Sequence, residues 1–201
     1  MKILAVSDEP ADRFYQYYSA GRLDEFDLIL SCGDLRPEYL EFLVTMAHCP
    51  VIYVHGNHDE NNSREPQGCE CADDKIIEYN GLRILGLGGS YRYRDGAYMF
   101  TERQMRYRIY RLWRYLKRHR GFDILLTHAP ARGLNDFDTL PHRGFSCFNT
   151  LLEKYHPRYF IHGHIHRNYD YRIPQICTKG STTVINAFEY CIIDTEEQEN
   201  T

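Results

Sequence analysis

The sequence has no apolar run that approaches the ~20 residues a membrane-spanning helix requires. Its first eight residues meet a charge too early for a secretory signal peptide and instead resemble a first strand. The seven cysteines are scattered, odd in number and mostly set in apolar segments, so no disulfide framework is expected. We therefore expect a cytoplasmic protein. The close pair Cys69 and Cys71 has poor spacing for a zinc finger, and we expect no structural metal from it.

Internal repeats, low-complexity tracts and linker-like segments are also lacking. The 201 residues are 43% hydrophobic and 26% charged, which is typical of a globular protein. A chain of this length suits one domain with one sizeable core, so we predict a single domain over residues 1–201.

The net charge of −4 is unevenly distributed. Residues 92–120 contain 10 Lys/Arg against two acidic residues, a net +8, and the rest of the chain is acidic. Such a basic segment can attract an anionic substrate, a nucleic acid or a membrane surface.

The first third of the sequence alternates apolar strands with helical patterns. Short apolar runs predict buried strands at Ile3–Ser7, Asp27–Ser31 and Val51–His55. Helix-like spacing lies between them at Ala11–Arg22 and Pro37–His48. This order is typical of a largely parallel sheet in an α/β protein.

The remainder predicts a mixed sheet. Asn80-Gly81 is a strong hairpin signal between two apolar segments. The further predicted elements are the hairpin strands Lys75–Tyr79 and Leu82–Leu87, a basic helix Thr101–Arg120, a strand Phe122–Thr127, a helix Phe145–Tyr155, a strand Arg158–His162 and an antiparallel meander from Asn168 to Asp194.

Polar residues that can bind metals follow five predicted strands. In open α/β sheets, ligands bind beyond the carboxyl ends of the strands, so these residues should converge. Carboxylate, amide and imidazole ligands suit Mn, Fe or Zn, and two ions ~3.5–4 Å apart can promote in-line displacement at phosphorus. Each residue alone could cap a helix or form a turn, but five in order favour a site. The residues are Asp8, Asp34, Asn57-His58-Asp59, His128, and His164 with His166.

These motifs resemble the calcineurin-like metallophosphoesterase superfamily, in particular its small prokaryotic members. The matching segments are Asp8, Gly33-Asp34, Gly56-Asn57-His58-Asp59, His128 and Gly163-His164-Ile165-His166. The resemblance implies a four-layer α/β/β/α sandwich of two mixed β-sheets with two divalent metal ions at the sheet edge.

The resemblance also implies a role for each residue. Asp8, Asp34 and His166 would hold the first metal. The second metal would be held by Asp34, as the bridge, together with Asn57, His128 and His164. A metal-bridging hydroxide would attack phosphorus, and His58 would stabilise the developing charge and protonate the leaving oxygen.

One position departs from the family pattern. The first motif is normally Asp-x-His, but here Pro10 stands where the family has a histidine. The first site therefore lacks one imidazole, and Glu9, Asp12 or water could take its place. We expect the first site to be the weaker one.

Other candidate residues are less directly tied to the motifs. His55 and His162 lie inside strands, and we interpret them as core or supporting histidines rather than ligands. His142 is interpreted as a solvated loop residue. Arg36 and Arg92, each near a motif or a Gly-rich loop, are the predicted contacts to a substrate phosphate.

The leading hypothesis is a phosphomonoesterase or phosphodiesterase that acts on a small phosphorylated substrate such as a nucleotide. One alternative is a non-catalytic interaction protein that retains the fold, which Pro10 favours. Another is a nuclease that uses the basic segment 92–120, where arginine and tyrosine alternate and can pair phosphates and stack on bases. The acidic remainder of the chain weakens the nuclease hypothesis.

Overall fold

The computed structural model describes residues 1–168 and 173–195. Short apolar segments form its strands, and the amphipathic segments form four α-helices. The helices are α1 (Pro37–Ala47), α2 (Glu102–Arg111), α3 (Trp113–Arg118) and α4 (Ser146–Tyr155). In chain order the strands are β1 (Lys2–Ser7), β2 (Leu28–Ser31), β3 (Val51–Tyr53), β4 (Glu70–Cys71), β5 (Lys75–Tyr79), β6 (Leu82–Leu87), β7 (Ser90–Tyr91), β8 (Met99–Phe100), β9 (Ile124–Thr127), β10 (Tyr159–His162), β11 (Ile176–Lys179), β12 (Thr182–Asn186) and β13 (Glu189–Asp194).

Two large mixed sheets organise the molecule. The first has the order β13-β1-β2-β3-β4, in which β1 to β4 are parallel and β13 is antiparallel to β1. The second has the order β11-β12-β10-β9-β6-β5, with the central strands β12, β10, β9 and β6 parallel. Strands β7 and β8 form a small parallel pair. The carboxyl ends of the central strands therefore emerge along a shared direction within each sheet.

Three apolar clusters hold four layers together. One lies between the sheets and includes Ile3, Leu30 and Ile124. A second packs α2, α3 and α4 on the outer face of the second sheet, and a third packs α1 and residues 11–26 on the first sheet. The result is the predicted α/β/β/α sandwich of two mixed sheets, with the central strands β2, β3, β9 and β10 buried on both faces.

The segment Ala11–Arg22 is not the predicted helix. It forms a single 3₁₀ turn, Asp12–Phe14, followed by further turns. The guanidinium of Arg22 donates to the carbonyls of Arg13 and Tyr17, which a continuing helix would have used for its own backbone. The apolar spacing instead buries Phe14, whose ring packs edge-on against Phe26.

The predicted basic helix is broken at Leu112 into α2 and α3. The amide of Leu112 donates to the carbonyl of Ile109, which tightens the end of α2 into a 3₁₀ turn. Leu112 and Leu116 remain buried, but Trp113 is 47% exposed and does not join the predicted apolar stripe.

The C-terminal strands also differ from the predicted meander. Strands β11 and β12 are antiparallel, as expected, but β12 runs parallel to β10. The chain then crosses to the other sheet, where β13 pairs with β1. Residues 169–172 of this predicted meander lie outside the described part of the chain. None of the helices in the described residues is long and apolar enough to cross a membrane.

Candidate metal centre

The structure gathers the residues predicted from the strand ends in and directly behind one pocket. Asp8 follows β1, Asp34 follows β2, and Asn57 and His58 follow β3. From the second sheet, His128 follows β9, and His164 and His166 follow β10. The pocket is lined by Asp8, Asp34, His58, His142, His164 and His166.

Four ligand atoms converge on one point at the buried end of this pocket. The Nε2 atom of His128 lies 3.1 Å from Asn57 Oδ1, 3.3 Å from Asp34 Oδ2 and 3.1 Å from His164 Nδ1. His128 is fully buried and His164 is 7% exposed. These are the four residues predicted to hold the second metal.

The surrounding carbonyls fix which ring nitrogens can face a cation. His128 Nδ1 lies 2.8 Å from the Cys32 carbonyl, and His164 Nε2 lies 2.7 Å from the Pro141 carbonyl. A carbonyl oxygen only accepts, so each of these nitrogens donates and the opposite nitrogen offers its lone pair. Lone pairs of two histidines, a carboxylate and an amide thus face one another, an arrangement that a divalent cation satisfies.

The pKa values of His128, Asp34 and His164 depend on one another because the three side chains are buried together. Burial would lower the pKa of His128, but Asp34 outweighs it and raises that pKa to about 9. Burial likewise favours neutral Asp34, but His128 lowers its pKa to about 2. The pKa of His164 falls to about 3 because the ring is buried and faces His128. A divalent ion at this point would take the place of the His128 proton.

The first predicted site contains fewer ligands. Asp8 Oδ1 is buried and has no hydrogen-bond partner among the described residues, and His166 Nε2 lies 3.5 Å from it. Glu9 Oε1 lies 3.9 Å from the other ring nitrogen of His166. Glu9 thus lies on the side of His166 that faces away from Asp8, and Asp12 is exposed on the 3₁₀ turn, so a contribution of either to the first site remains a prediction.

Three of the predicted ligands adopt the left-handed backbone conformation, which residues other than glycine rarely adopt. Asp8, Asp34 and His164 have φ angles of 66°, 58° and 66°. Such left-handed residues cost free energy and persist where the surrounding structure enforces them, as at functional sites. The conformation turns each side chain sharply back toward the pocket at the end of its strand.

Two glycines allow the ligand loops to approach closely. A Cβ on Gly56 would lie 2.1 Å from Asp34 Oδ1, and a Cβ on Gly163 would lie 1.9 Å from Ser7 Oγ. Both distances are far shorter than a Cβ atom can approach another heavy atom, so only glycine fits at these two positions. The glycines of the predicted motifs are thus needed for packing between loops.

Asp59 has a role that the sequence did not indicate. Its Oδ2 accepts the amides of Gly56 at 2.7 Å and Asp34 at 3.0 Å, and its Oδ1 accepts from Asn62 at 3.0 Å. One carboxylate therefore joins the loop that carries Asp34 to the loop that carries Asn57. The only sequence signal is its position after Gly-Asn-His.

We expect Asp59→Ala to lower metal affinity at the His128 site by about 10–100-fold, the usual effect of losing a group that orients ligands. Two amide donors would lose their acceptor, and the two loops would no longer be tied. Asp59→Asn keeps an acceptor oxygen and should retain much more affinity. Metal titration of both variants checks this, and equal losses would show that charge rather than positioning matters.

The pocket is also lined by His58, the predicted catalytic residue, and by His142, which the sequence did not predict there. His58 lines the pocket, and its backbone amide donates to Asp34 Oδ1 at 2.7 Å. His142 is not a solvated loop residue, because it also lines the pocket and its ring centroid lies 5.6 Å from that of His164. The loop that carries His142 turns back toward the pocket, and in this turn the His142 amide donates to the Thr139 carbonyl.

The predicted phosphate-binding arginines are placed elsewhere. Neither Arg36 nor Arg92 is among the residues that line this pocket in the described part of the chain. Arg92 is paired with Asp95 on the surface, and Arg36 precedes α1 as an exposed residue. The loop after Arg92 instead walls a neighbouring cavity through Tyr98. Contact of either arginine with a substrate remains a prediction.

Of the two histidines predicted inside strands, His162 ends β10, whereas His55 lies just beyond β3. His162 is fully buried, and burial lowers its pKa to about 4. The side chain of His55 is 12% exposed and lies between Asp73 and Glu65. Neither lines the pocket of the metal centre.

Two mixed sheets packed in an α/β/β/α sandwich, with Asp, Asn and His gathered where the strands end, define the metallophosphoesterase class of fold. The chain belongs to the calcineurin-like phosphoesterase family, whose profile matches residues 1–168. One solved crystal structure has the same fold, with a TM-score of 0.68 at 15% identity over 98% of this chain and 95% of that one.

Two relatives of known sequence share about a quarter of their aligned residues with this chain. The chain is 27% identical over 188 residues to the UPF0046 protein C25E10.12 of Caenorhabditis elegans, covering 78% of this chain and 63% of that protein. It thus spans less than two thirds of the nematode relative's length. It is also 26% identical over 204 residues to an uncharacterized protein of Haemophilus influenzae, covering 85% of this chain and 86% of that protein.

Proposed function

We propose that this protein hydrolyses a phosphate ester with the help of two divalent metal ions. The observation that carries the proposal is the convergence of four lone-pair atoms on one point, with His128 Nε2 within 3.1–3.3 Å of the other three. Membership of the calcineurin-like phosphoesterase family supports the reaction class.

In the proposed site, Asp34 would be shared by the two metal sites. Asn57, His128 and His164 would complete the second site, and Asp8 and His166 would complete the first. When bound, such ions polarise the phosphoryl oxygens and lower the pKa of water. The donor set of carboxylate, amide and imidazole suits Mn, Fe or Zn.

The chain's own residues orient and protonate the substrate. His58 lines the open side of the pocket and is tied through its backbone amide to Asp34. From there its ring can hydrogen-bond to a phosphoryl oxygen and donate a proton to the leaving oxygen. His142 on the opposite loop, with a pKa lowered chiefly by burial, offers a neutral ring to the same pocket.

The direct test is turnover of p-nitrophenyl phosphate and bis(p-nitrophenyl) phosphate by purified protein with added Mn²⁺. The proposal predicts saturable release of p-nitrophenol from at least one of them. No turnover of these or of a panel of nucleotides by metal-loaded protein would favour the non-catalytic alternative, in which the fold serves an interaction.

We predict unequal occupancy of the two metal sites. Pro10 removes an imidazole from the first site only, and Glu9 contacts the outer nitrogen of His166. Anomalous scattering from crystals grown at limiting metal should show the His128 site filled first. Equal and tight filling of both sites would contradict this expectation, and a metal contact from Glu9 or Asp12 would identify its cause.

The substrate is proposed to be small. The basic helices α2 and α3 pack behind the second sheet, and none of their residues lines the pocket in the described part of the chain. Exposed Tyr107, Tyr110 and Trp113 beside the arginines are the observation that favours a nucleic-acid substrate instead.

Neutralising Arg111, Arg114 and Lys117 together separates these two substrates. We expect less than about a twofold change in kcat/KM for a small ester at physiological salt, where screening acts over about 8 Å. The same triple variant is assayed on single-stranded oligonucleotides. Loss of nuclease activity with unchanged ester hydrolysis would establish the nuclease alternative.

A further inference from the structure

A second cluster of metal-ligating side chains lies outside the candidate active site. In the described part of the chain, two groups of His, Cys, Asp or Glu bring their ligand atoms within 4.8 Å of one another. One contains Asp34, His128 and His164. The other consists of His55, Cys71 and Asp73, which we call the thiolate cluster. None of its members lines the pocket of the metal centre.

The distances within the thiolate cluster suit one small cation. His55 Nδ1 lies 3.9 Å from Cys71 Sγ and 2.8 Å from Asp73 Oδ2. Zinc bonds of about 2.3 Å to sulfur and about 2.0 Å to nitrogen or oxygen separate tetrahedral ligand atoms by about 3.3–3.6 Å. Shifts of about half an ångström bring His55 Nδ1 to the separations expected of zinc ligands, and Cys71 Sγ and an Asp73 oxygen lie within 4.8 Å of each other.

Neighbouring groups orient the ligand atoms toward a common point. His55 Nε2 lies 2.9 Å from Glu65 Oε2, and Glu65 also accepts from the Tyr53 hydroxyl at 2.6 Å. Donation from Nε2 to this carboxylate leaves the Nδ1 lone pair directed at the cluster, which is the carboxylate–histidine–metal arrangement of zinc sites. The ring of Tyr98 stacks on His55 with centroids 4.3 Å apart and fixes its plane.

Asp73 is oriented in the same way. Its Oδ1 accepts the backbone amide of Gly88 at 2.7 Å, which leaves Oδ2 toward His55. A Cβ on Gly88 would lie 2.4 Å from Asp73 Oδ1, so this close approach requires glycine. Loop residues from both sheets thus hold the carboxylate in place.

The cluster lies beside a cavity and is not sealed from solvent. A cavity beside the cluster is lined by Tyr53, His55, Glu65 and Tyr98 among others. The side chains of His55 and Asp73 are 12% and 17% exposed, so both reach the surface of the protein. Three protein ligands and one water form a common zinc geometry.

We propose that His55, Cys71 and Asp73 bind a third metal ion, zinc, that is separate from the phosphoesterase centre. A thiolate with imidazole and carboxylate selects zinc over Mg or Mn. Cys71 ends β4, Asp73 begins the crossing to the second sheet, and His55 leads into the loop of Asn57. Zinc here ties the edge of both sheets to the strand that positions the active-site loop.

The competing explanation is an ion pair in which a protonated His55 is clamped between Asp73 and Glu65. In that case the thiol of Cys71 is only a neighbour and no metal binds. The two explanations differ in whether Cys71 bonds to a metal.

Cobalt substitution distinguishes them, because a thiolate bound to Co²⁺ gives a near-ultraviolet charge-transfer band that oxygen and nitrogen ligands do not give. We expect this band in the full-length wild-type protein titrated with Co²⁺, and its loss when Zn²⁺ is added. Cys71→Ser should abolish it. Cys69→Ser is the matched control and should retain the band, because the Cys69 sulfur contacts the nearby Gln67 carbonyl and lies outside the thiolate cluster.

A fourth protein separates this inference from the proposed function. His164→Ala impairs the phosphoesterase centre but leaves the thiolate cluster untouched, so the charge-transfer band should persist. Absence of the band in the folded wild-type protein, or its persistence in Cys71→Ser, would overturn the proposal. Either result leaves the phosphoesterase assay unaffected.

Discussion

Replacement of His58 by alanine is expected to lower kcat by a factor of about 10²–10⁴, the usual contribution of a positioned general acid. His58 lines the pocket, but its ring is not one of the four atoms that converge at His128. The variant should therefore keep its metal content. The leaving oxygen would depart unprotonated, so substrates with good leaving groups such as p-nitrophenol should be affected least.

The comparison of leaving groups is the sharpest part of this experiment. A protonating role predicts that the His58→Ala defect grows as the leaving group becomes more basic, from nitrophenyl to alkyl esters. His119→Ala, which removes a surface histidine paired with Glu78, is the control. Loss of metal from His58→Ala would show that His58 is a ligand rather than the acid.

Replacement of Asp34 by asparagine is expected to have the largest effect. Asp34 Oδ2 faces His128, while Oδ1 accepts the His58 amide at 2.7 Å. Asparagine keeps the volume and the contact to His58 but removes the charge that two cations share. We expect loss of both metals and a decrease in kcat/KM of roughly 10³ or more, since metal ions contribute several kcal/mol to such transition states.

The metal content and the turnover of Asp34→Asn should both decrease. Asp24→Asn, an exposed carboxylate outside the pocket, should change neither. Retention of one tightly bound metal by Asp34→Asn would indicate that Asp34 is a ligand of a single site and does not bridge two.

The sequence was informative wherever the relevant contacts follow from local order. Apolar strands and the polar residues at their ends can be identified from pattern alone, and parallel strands bring those ends together. For this reason the order of the strands predicts that Asp8, Asp34, His128 and His164 lie close together. The sandwich itself followed from the resemblance that these residues carry.

Contacts between distant segments could not be predicted. Asp59 accepts the amide of Asp34, 25 residues away, and nothing in its own segment indicates that partner. Likewise, the sequence of the loop around His142 does not indicate that this loop folds back to the pocket, where His142 lies beside His164. Cys71 meets His55 only because β4 pairs with β3, which is why the cysteine spacing gave no useful signal.

Periodicity also failed where a side chain competed with the backbone. Residues 11–22 have helical spacing, but Arg22 takes the carbonyls of Arg13 and Tyr17. In the basic segment the spacing was right for Leu112 and Leu116, and the tightened turn between α2 and α3 moved Trp113 out of the stripe.

The most direct test of the account is the hydrolysis rate measured as a function of bound metal per chain. Protein stripped with chelator is titrated with Mn²⁺, and metal content and p-nitrophenyl ester turnover are followed in the same samples. We predict negligible turnover in stripped protein, and a rise that continues while the weaker Asp8–His166 site fills. Turnover that is independent of metal, or that is unchanged in His128→Ala, would contradict the proposal that this centre is the active site.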